Sequence, residues 1–316
     1  MKMLTRSETA NFLREQDHFV ILTHRRPDGD TVGSAAALCR ILRRLGKQAH
    51  ILRNPDITPR FSWLTEELTA EAPAEGSCLV CVDVASPGML PKAFAPWQSK
   101  VQLRIDHHGS ATSFTPLELV EADSASCAEI IYELGRELLG SMDTDIAGAV
   151  YVGASTDTGC FRYANTTAHT FQTAAACAAA GADIFRLNQE LFDTNNLSKL
   201  RLQAWITEHM QLFGEGKLAL CAIPRRVEEE LGVVEDDVDN VSSFLRSVRG
   251  VCMAATLRET EDGGVKLSVR AIPGYDAAKV CEQFGGGGHK GAAGASTRLS
   301  LAEAARLVEA YMQMQS

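Results

Sequence analysis

The sequence predicts an α/β protein with two domains: a parallel sheet flanked by helices, and then a smaller α+β domain with a mixed sheet. Three observations predict it. The short apolar runs of the first half do not alternate with polar residues, helical stretches separate these runs, and the pattern changes after "GEGK" at 214–217. Strands that are apolar throughout are typical of a parallel sheet that is covered on both faces.

The first domain alternates strands and helices in the order expected of a Rossmann-like sheet. The predicted strands are 19–24, 48–53, 77–85, 100–108 and 116–123. Helices are predicted from near Thr31, where small residues precede a stop at Gly46, and over 124–140 and 143–159. Residues 165–213 are predicted to be all-helical, with helices over 165–181, 183–193 and 198–213.

The second domain is predicted from apolar runs that resemble strands and alternate with helical segments. The predicted strands are 218–224, 250–259 and 264–272, and the predicted helices are 225–232, 238–248 and 276–284. We therefore expect a catalytic domain over 1–190, a helical linker over 191–215 and a substrate-binding domain over 216–316.

The composition excludes some classes of function. The formal net charge is −9, so the chain lacks the basic excess with which proteins bind long duplex nucleic acid non-specifically. No run of about 18 apolar residues predicts a membrane span, and the first residues lack the apolar region of a signal peptide. The nine cysteines are scattered, as expected of small hydrophobic residues in a reducing cytosol, so we expect a cytoplasmic protein.

Carboxylates and imidazoles follow the predicted strands and end one predicted helix. In chain order they are His24, Asp28, Asp30, Asp83, Asp106, His107, His108 and Asp157. Each one alone is equally well explained as a cap, a turn residue or a surface residue. In an open parallel sheet, however, ligands bind beyond the carboxyl ends of the strands, which is where these residues are predicted to lie.

These side chains also indicate the kind of metal. Several carboxylates with two or three imidazoles and no thiolate suit Mn²⁺ or a similar divalent ion. Five carboxylates in one cleft would repel one another, and two divalent cations would balance four of those charges. Two such ions can stabilise the attacking and leaving oxygens of a phosphoryl displacement, and they lower the pKa of a bound water.

The glycine run "FGGGGHKGAAG" at 284–294 is the second distinctive motif. It is not a dinucleotide fingerprint, because it follows a predicted helix, and it is not a P-loop, because no Gly-Lys-Ser/Thr follows. One interpretation is a flexible loop. The other is an anion-binding loop, formed by backbone N–H groups beside His289 and Lys290 and favoured further if a helix begins there. Arg270 is equally well explained as a phosphate contact and as a solvated strand residue.

Together these motifs resemble the DHH phosphoesterases. "HRRPDGDTVGSA", "VDVAS", "DHH", "ASTDTG" and "GGGGHKGAAG" occur in the order and approximate spacing of that family, and the last one resembles its DHH-associated C-terminal domain. The resemblance extends from about residue 5 to residue 300. In length the chain is most similar to the nanoRNase branch, whose members degrade very short oligonucleotides and dephosphorylate pAp.

The resemblance implies roles for individual residues. It implies that His24, Asp28 and Asp83 bind one Mn²⁺ and that Asp30, Asp83, His107 and Asp157 bind the other, with Mg²⁺ or Co²⁺ as substitutes. Asp106 would orient His107, and His108 would face the scissile phosphate. The run Gly286, Gly287, Gly288 and His289, together with Arg270, would hold the phosphate or terminal nucleotide of the substrate across a cleft between the domains.

Some alternatives stay open at this point. Gly291 stands where relatives often have a basic residue, which would weaken a phosphate contact and leaves the substrate preference open. Aromatic residues make up only 6% of the chain, which favours short single-stranded oligonucleotides or pAp as substrates. The alternatives are a phosphodiesterase of linear dinucleotides (pApA or pGpG), a RecJ-like single-strand exonuclease and a non-enzymatic nucleotide-binding regulator. A homodimer is compatible with the sequence.

Overall fold

The computed structural model describes residues 1–109, 112–238 and 241–314. The chain forms two compact units, Met1–Thr194 and Asn195–Ser316. No helix in these described ranges is long and apolar enough to cross a membrane.

The described part of the first unit forms a seven-stranded sheet with every neighbouring pair parallel, in the order β1-β7-β6-β5-β2-β3-β4. Its strands are β1 (Lys2–Met3), β2 (Phe19–Leu22), β3 (Ala49–Leu52), β4 (Thr69–Ala70), β5 (Cys78–Val82), β6 (Val101–Asp106) and β7 (Leu117–Val120). Its α-helices are α1 (Arg6–Glu15), α2 (Gly29–Arg44), α3 (Pro59–Ser62), α4 (Ala95–Gln98), α5 (Cys127–Leu139), α6 (Thr144–Asp157), α7 (Ala168–Ala179) and α8 (Ile184–Asn188). A π-helical turn, Gln189–Asp193, follows α8.

The central strands β2 and β5 are buried on both faces, as their unbroken apolar runs predict. On β2, Phe19 and Ile21 enter a large core that also contains residues of α2, α5 and α6. Val20 and Leu22 point the other way, into a smaller core with Phe94 near α4. Side chains alternate between the faces of a strand, so a strand between two cores has no polar face.

The boundaries differ slightly from the predicted ones. Helix α2 begins at Gly29 rather than near Thr31, because the Asp28 side chain caps it by accepting hydrogen bonds from the backbone N–H groups of Asp30 and Thr31. Strands β2 and β6 end at Leu22 and Asp106, so the polar residues that follow them lie in loops at the sheet edge.

The described part of the second unit forms a six-stranded mixed sheet in the order β12-β13-β11-β10-β9-β8, in which only β9 and β10 are parallel. Its elements are α9 (Leu197–His209), β8 (Gln211–Phe213), β9 (Leu218–Ile223), α10 (Arg225–Leu231), α11 (Val241–Arg246), β10 (Met253–Glu259), β11 (Val265–Ala271), α12 (Ala277–Glu282), β12 (Gly287–His289), β13 (Ala292–Thr297) and α13 (Leu301–Gln313). A 3₁₀ turn spans Glu235–Val238.

One prediction about this half of the chain was wrong. Residues 211–213 form β8 rather than the end of a helix, because they pair with β9. Whether a helix begins at the glycine run was left open by the sequence; Gly287–His289 form a strand instead, β12, which pairs with β13. The predicted helix 238–248 includes residues 239 and 240, which lie outside the described residues. Helix α9, which falls in the predicted linker, packs Leu202 and Ile206 into a core of the second unit.

Candidate active site

The predicted site residues of the first unit come from the carboxyl ends of three adjacent strands and from two helices. β6, β5 and β2 are neighbours in the sheet. His24 follows β2, Asp83 follows β5 directly, and the "DHH" triplet begins at the last residue of β6. Because parallel strands end at the same edge, these loops adjoin.

Helices α2 and α6 supply the remaining carboxylates. Asp28 caps α2, Asp30 is in its first turn, and Asp157 is the last residue of α6. Glycine lets these helices pack closely: a Cβ on Gly33 would lie 2.5 Å from the carbonyl oxygen of Ala149, and one on Gly153 would lie 2.9 Å from Asp30 Oδ1. This close packing brings the start of α2 and the end of α6 together.

All six predicted metal ligands lie in one cluster around Asp83. Three groups of side chains have potential ligand atoms within 4.8 Å of one another. They are His24, Asp28 and Asp83; Asp30, His107 and Asp157; and Asp83, His107 and His108. The first group is identical to the ligand set predicted for one ion. The second group, together with Asp83, is identical to the ligand set predicted for the other ion. That these residues bind ions stays a prediction.

Asp83 lies at the centre of the cluster. Its Oδ2 is 3.4 Å from His24 Nε2, and its Oδ1 is 3.5 Å from both His107 Nε2 and His108 Nδ1. Its backbone is left-handed, with φ 58°, and is held by a hydrogen bond from its N–H to the Ile105 carbonyl. A non-glycine residue in this conformation is strained, and such strain often marks a functional site.

The donor set fits a divalent metal. Asp83 Oδ1 is buried and accepts no hydrogen bond from the described residues. A buried carboxylate oxygen without a partner is costly unless a cation binds it. Carboxylates with imidazole nitrogens, and no thiolate among the clustered groups, suit Mn²⁺ and similar ions.

Backbone groups orient the two predicted histidine ligands. His24 Nδ1 lies 2.9 Å from the Arg25 carbonyl, and His107 Nδ1 lies 3.2 Å from the Ser124 carbonyl. A carbonyl only accepts, so each Nδ1–H donates and each Nε2 faces the carboxylates. The buried Asn54 side chain further fixes the first loop by donating to the His24 carbonyl.

Asp30 is held by helix α5. Its Oδ2 accepts from the backbone N–H of Cys127, and its Oδ1 accepts from the N–H of Ala128 and the hydroxyl of Ser34. Both amides are in the first turn of α5, where the helix dipole favours a negative charge. The sequence prediction missed the two contacts with α5, because they join residues 97 and 98 positions apart.

The role predicted for Asp106 was wrong in one respect. Its Oδ1 accepts from His108 Nδ1 at 2.8 Å, whereas its contact with His107 is to the backbone N–H, at 2.9 Å. The ring of His107 is oriented by Ser124 instead. Asp106 therefore orients His108, the residue predicted to face the scissile phosphate.

Close packing of charges shifts the pKa values in the cluster. Burial lowers the pKa of His107, but the close approach of Asp83 and the charges of the other nearby carboxylates outweigh burial and raise it to about 10. Burial and the charge of Asp83 raise the pKa of Asp157 to about 7, and the pKa of Asp30 well above its usual value. Burial raises the pKa of Asp83, but His107 and His24 outweigh it, so the net shift is downward. Without a cation, protons on these groups thus offset the crowded carboxylates, and a bound cation would replace those protons.

The other predicted site residues belong to the second unit and lie together there. Ala292 of β13 pairs with Arg270 of β11 on one side and with His289 of β12 on the other. Residues directly opposite across a ladder share a face, so Arg270 and His289 share one face of this sheet. A Cβ on Gly288 would lie 2.6 Å from the Ala292 carbonyl, and its φ of +147° is one that side chains rarely adopt.

Comparison with known proteins gives two family matches. The DHH family, N-terminal domain, matches residues 18–154, and the DHHA1 domain matches residues 217–314. A bifunctional oligoribonuclease and PAP phosphatase NrnA from Thermus thermophilus is 35% identical over 284 residues, covering 88% of this chain and 83% of that protein. One from Bacillus subtilis is 27% identical over 296 residues, covering 92% and 93%.

A solved structure is similar over almost the whole chain. It is an exopolyphosphatase-related protein from Bacteroides fragilis, with a TM-score of 0.85, 21% identity, and coverage of 98% of this chain and 96% of that one. At that identity, the likeness shows that the two proteins share a fold.

Proposed function

The chain belongs to the DHH family, and from that premise we propose that it is a metal-dependent phosphoesterase. Its proposed substrates are single-stranded di- to pentanucleotides, hydrolysed to mononucleotides, and pAp, dephosphorylated to AMP. The cluster around Asp83 carries the proposal, because its buried, unpartnered oxygen lies among imidazoles and carboxylates at the edge of a parallel sheet. The names of the relatives from Thermus thermophilus and Bacillus subtilis support this choice of substrates.

We propose two Mn²⁺ ions, with Mg²⁺ or Co²⁺ as substitutes. His24, Asp28 and Asp83 would hold one, and Asp30, Asp83, His107 and Asp157 the other. When bound, such ions activate water and neutralise charge on a phosphoryl group. The carbonyls that accept from Nδ1 of His24 and His107 keep each Nε2 available as a ligand.

His108 would contact the reacting phosphate. Its Nδ1 is held by Asp106, which fixes the ring and keeps that nitrogen protonated. The ring would then stabilise the charge that develops on the phosphate oxygens. In the second unit, Arg270, His289 and the backbone of Gly286, Gly287 and Gly288 would bind the phosphate or the terminal nucleotide of the substrate.

The test is turnover with and without metal. We expect the purified protein to hydrolyse a labelled dinucleotide and pAp with Mn²⁺ and neither substrate with excess EDTA. Asp157→Asn keeps the side-chain shape and removes one proposed ligand charge, so metal content and turnover should both fall. If the protein hydrolysed neither substrate with Mn²⁺, the proposal would be overturned. Faster turnover of pApA or pGpG than of an unphosphorylated dinucleotide would favour the linear-dinucleotide alternative.

A further inference from the structure

A buried arginine beneath the active site contacts the loop after β5, the last residue of β6 and a carboxylate on β7. Arg104 lies in the middle of β6 and its side chain is only 1% exposed. Its Nη2 donates to Glu118 Oε2 at 2.7 Å, and its Nη1 lies 3.3 Å from Asp106 Oδ2. Nη1 also approaches the carbonyls of Val84 and Ala85, which follow Asp83, at 3.3 and 3.4 Å.

Glu118, the partner of Arg104 on β7, also holds the residues that precede that strand. This buried carboxylate on β7 accepts from the backbone N–H groups of Phe114 and Thr115 and from the hydroxyl of Ser113. Those residues close the loop that begins with His107 and His108. The Phe114 ring covers the guanidinium, with Arg104 Cζ 5.4 Å from the ring centroid.

These contacts form an unbroken path to His108. It runs from Glu118 to Arg104 at 2.7 Å, to Asp106 at 3.3 Å and to His108 Nδ1 at 2.8 Å. Two carboxylates and one guanidinium are fully buried here, which is expensive unless each is paired. An apolar side chain would pack a strand between two cores more simply, so the charges have a role other than filling space.

We propose that Arg104 is a positioning residue that acts on His108 through Asp106, with Glu118 as its anchor. The inference rests on the proposed function, since His108 is taken to contact the reacting phosphate. The planar fork of arginine is required, because one guanidinium must reach Glu118, Asp106 and two carbonyls in fixed directions. The ammonium of lysine keeps the charge but cannot hold all of these groups at once.

The test variant is Arg104→Lys. We expect kcat to fall by about 10–100-fold with KM and Mn²⁺ content unchanged, as is common when a group that orients an active-site residue is lost. The matched control is Arg258→Lys in the second unit. Arg258 is also largely buried and forms a two-point pair, with Glu228, at 2.6 and 3.1 Å. The control should leave kcat unchanged.

Coupling to His108 separates positioning from a general loss of structure. In a His108→Ala background, Arg104→Lys should cost no further activity, because the residue that it positions is gone. An equal loss in both backgrounds would overturn the proposal. If Arg104→Lys does not fold, Glu118→Gln takes its place, since it keeps the shape of the anchor and removes its charge.

A spectroscopic readout is independent of turnover. In ¹⁵N-histidine-labelled protein, the His108 Nδ1–H, assigned by its absence in His108→Gln, should give a slowly exchanging, hydrogen-bonded proton signal. We expect Arg104→Lys to broaden or lose this signal and Arg258→Lys to keep it. Unchanged signals in Arg104→Lys would overturn the inference. Should the unmodified protein hydrolyse neither substrate, the proposed function fails, while this measurement still decides whether Arg104 orients His108.

Discussion

His108 differs from the other two imidazoles of the cluster in what holds it and in how exposed it is. His24 and His107 donate from Nδ1 to backbone carbonyls, whereas His108 Nδ1 contacts the Asp106 carboxylate. The side chain of His108 is 26% exposed, against 15% for His107 and 7% for His24. The position of His108 therefore suits contact with a substrate better than the role of a metal ligand.

The first prediction follows from this difference. His108→Ala should lower kcat by about 10²–10³-fold, as expected when a donor to a developing charge is lost. Mn²⁺ content, measured by elemental analysis, should stay near that of the unmodified protein. His50→Ala, which removes a ring exposed on β3, is the control and should change neither quantity. A collapse of metal content in His108→Ala would show that this residue is a ligand.

At this scale the sequence predicts which residues meet, but not every contact among them. Parallel strands end at one edge, so the residues that follow β2, β5 and β6 were expected to gather, and they do. The partners of Asp30 and His107 come from the start of α5 and from the loop before it, and nothing local specifies that approach. The sequence prediction made no use of Arg104, a basic residue between the apolar residues Leu103 and Ile105 of β6.

At the scale of elements, glycines control how closely helices pack at the site. Gly33→Ala would place a Cβ 2.5 Å from the Ala149 carbonyl, and backbone must move to admit it. We expect a loss of about 1–3 kcal/mol of folding stability and weaker Mn²⁺ binding, because Asp30 and Asp157 would move apart. Thermal melting and metal titration measure the two effects.

Gly148→Ala is the matched control for this prediction. Gly148 lies within α6, and a Cβ there meets no other group within 4 Å. The change should stabilise the protein by about 0.5–1 kcal/mol, since alanine favours helix, and leave metal binding unaltered. If both variants melted alike, close packing of α2 on α6 would not be what constrains residue 33.

The secondary structure of the glycine run could not be predicted from the sequence. Four glycines in succession are compatible with a loop, a helix start or a strand, and local propensity does not separate these. Pairing with β13, and through it with β11, decides for a strand. That choice depends on partners as far back along the chain as Ser268, which lies opposite Gly294, and such pairing decides strand formation more than local preference does.

A second matched pair tests whether the shape of this strand serves binding. Gly288→Ala should raise KM for a dinucleotide with little change in kcat, because the backbone conformation and the nearby Ala292 carbonyl both oppose a side chain. Gly287→Ala should have a much smaller effect, since a Cβ there meets nothing within 4 Å. If both variants kept the KM of the unmodified protein, β12 would have no part in substrate binding.

At the scale of the whole molecule, we expect the net charge to favour short substrates. The chain carries a formal charge of −9 and only 6% aromatic residues. Each nucleotide added to a substrate brings another phosphate into a predominantly negative field and finds few aromatic rings on which to stack. Binding of long single strands usually depends on a basic groove and stacking platforms.

The last prediction concerns both length and salt. For single strands from two to about twenty nucleotides, kcat/KM should be highest for the shortest and fall beyond about five, since added phosphates gain no contacts. The slope of log(kcat/KM) against log[salt] should be no steeper for a long strand than for a short one, because no further counterions are released. Initial rates at two KCl concentrations with fixed Mn²⁺ measure both. If kcat/KM instead rose with length and its salt dependence steepened, a basic track would extend beyond the cluster, and the RecJ-like exonuclease would become the better description of this enzyme.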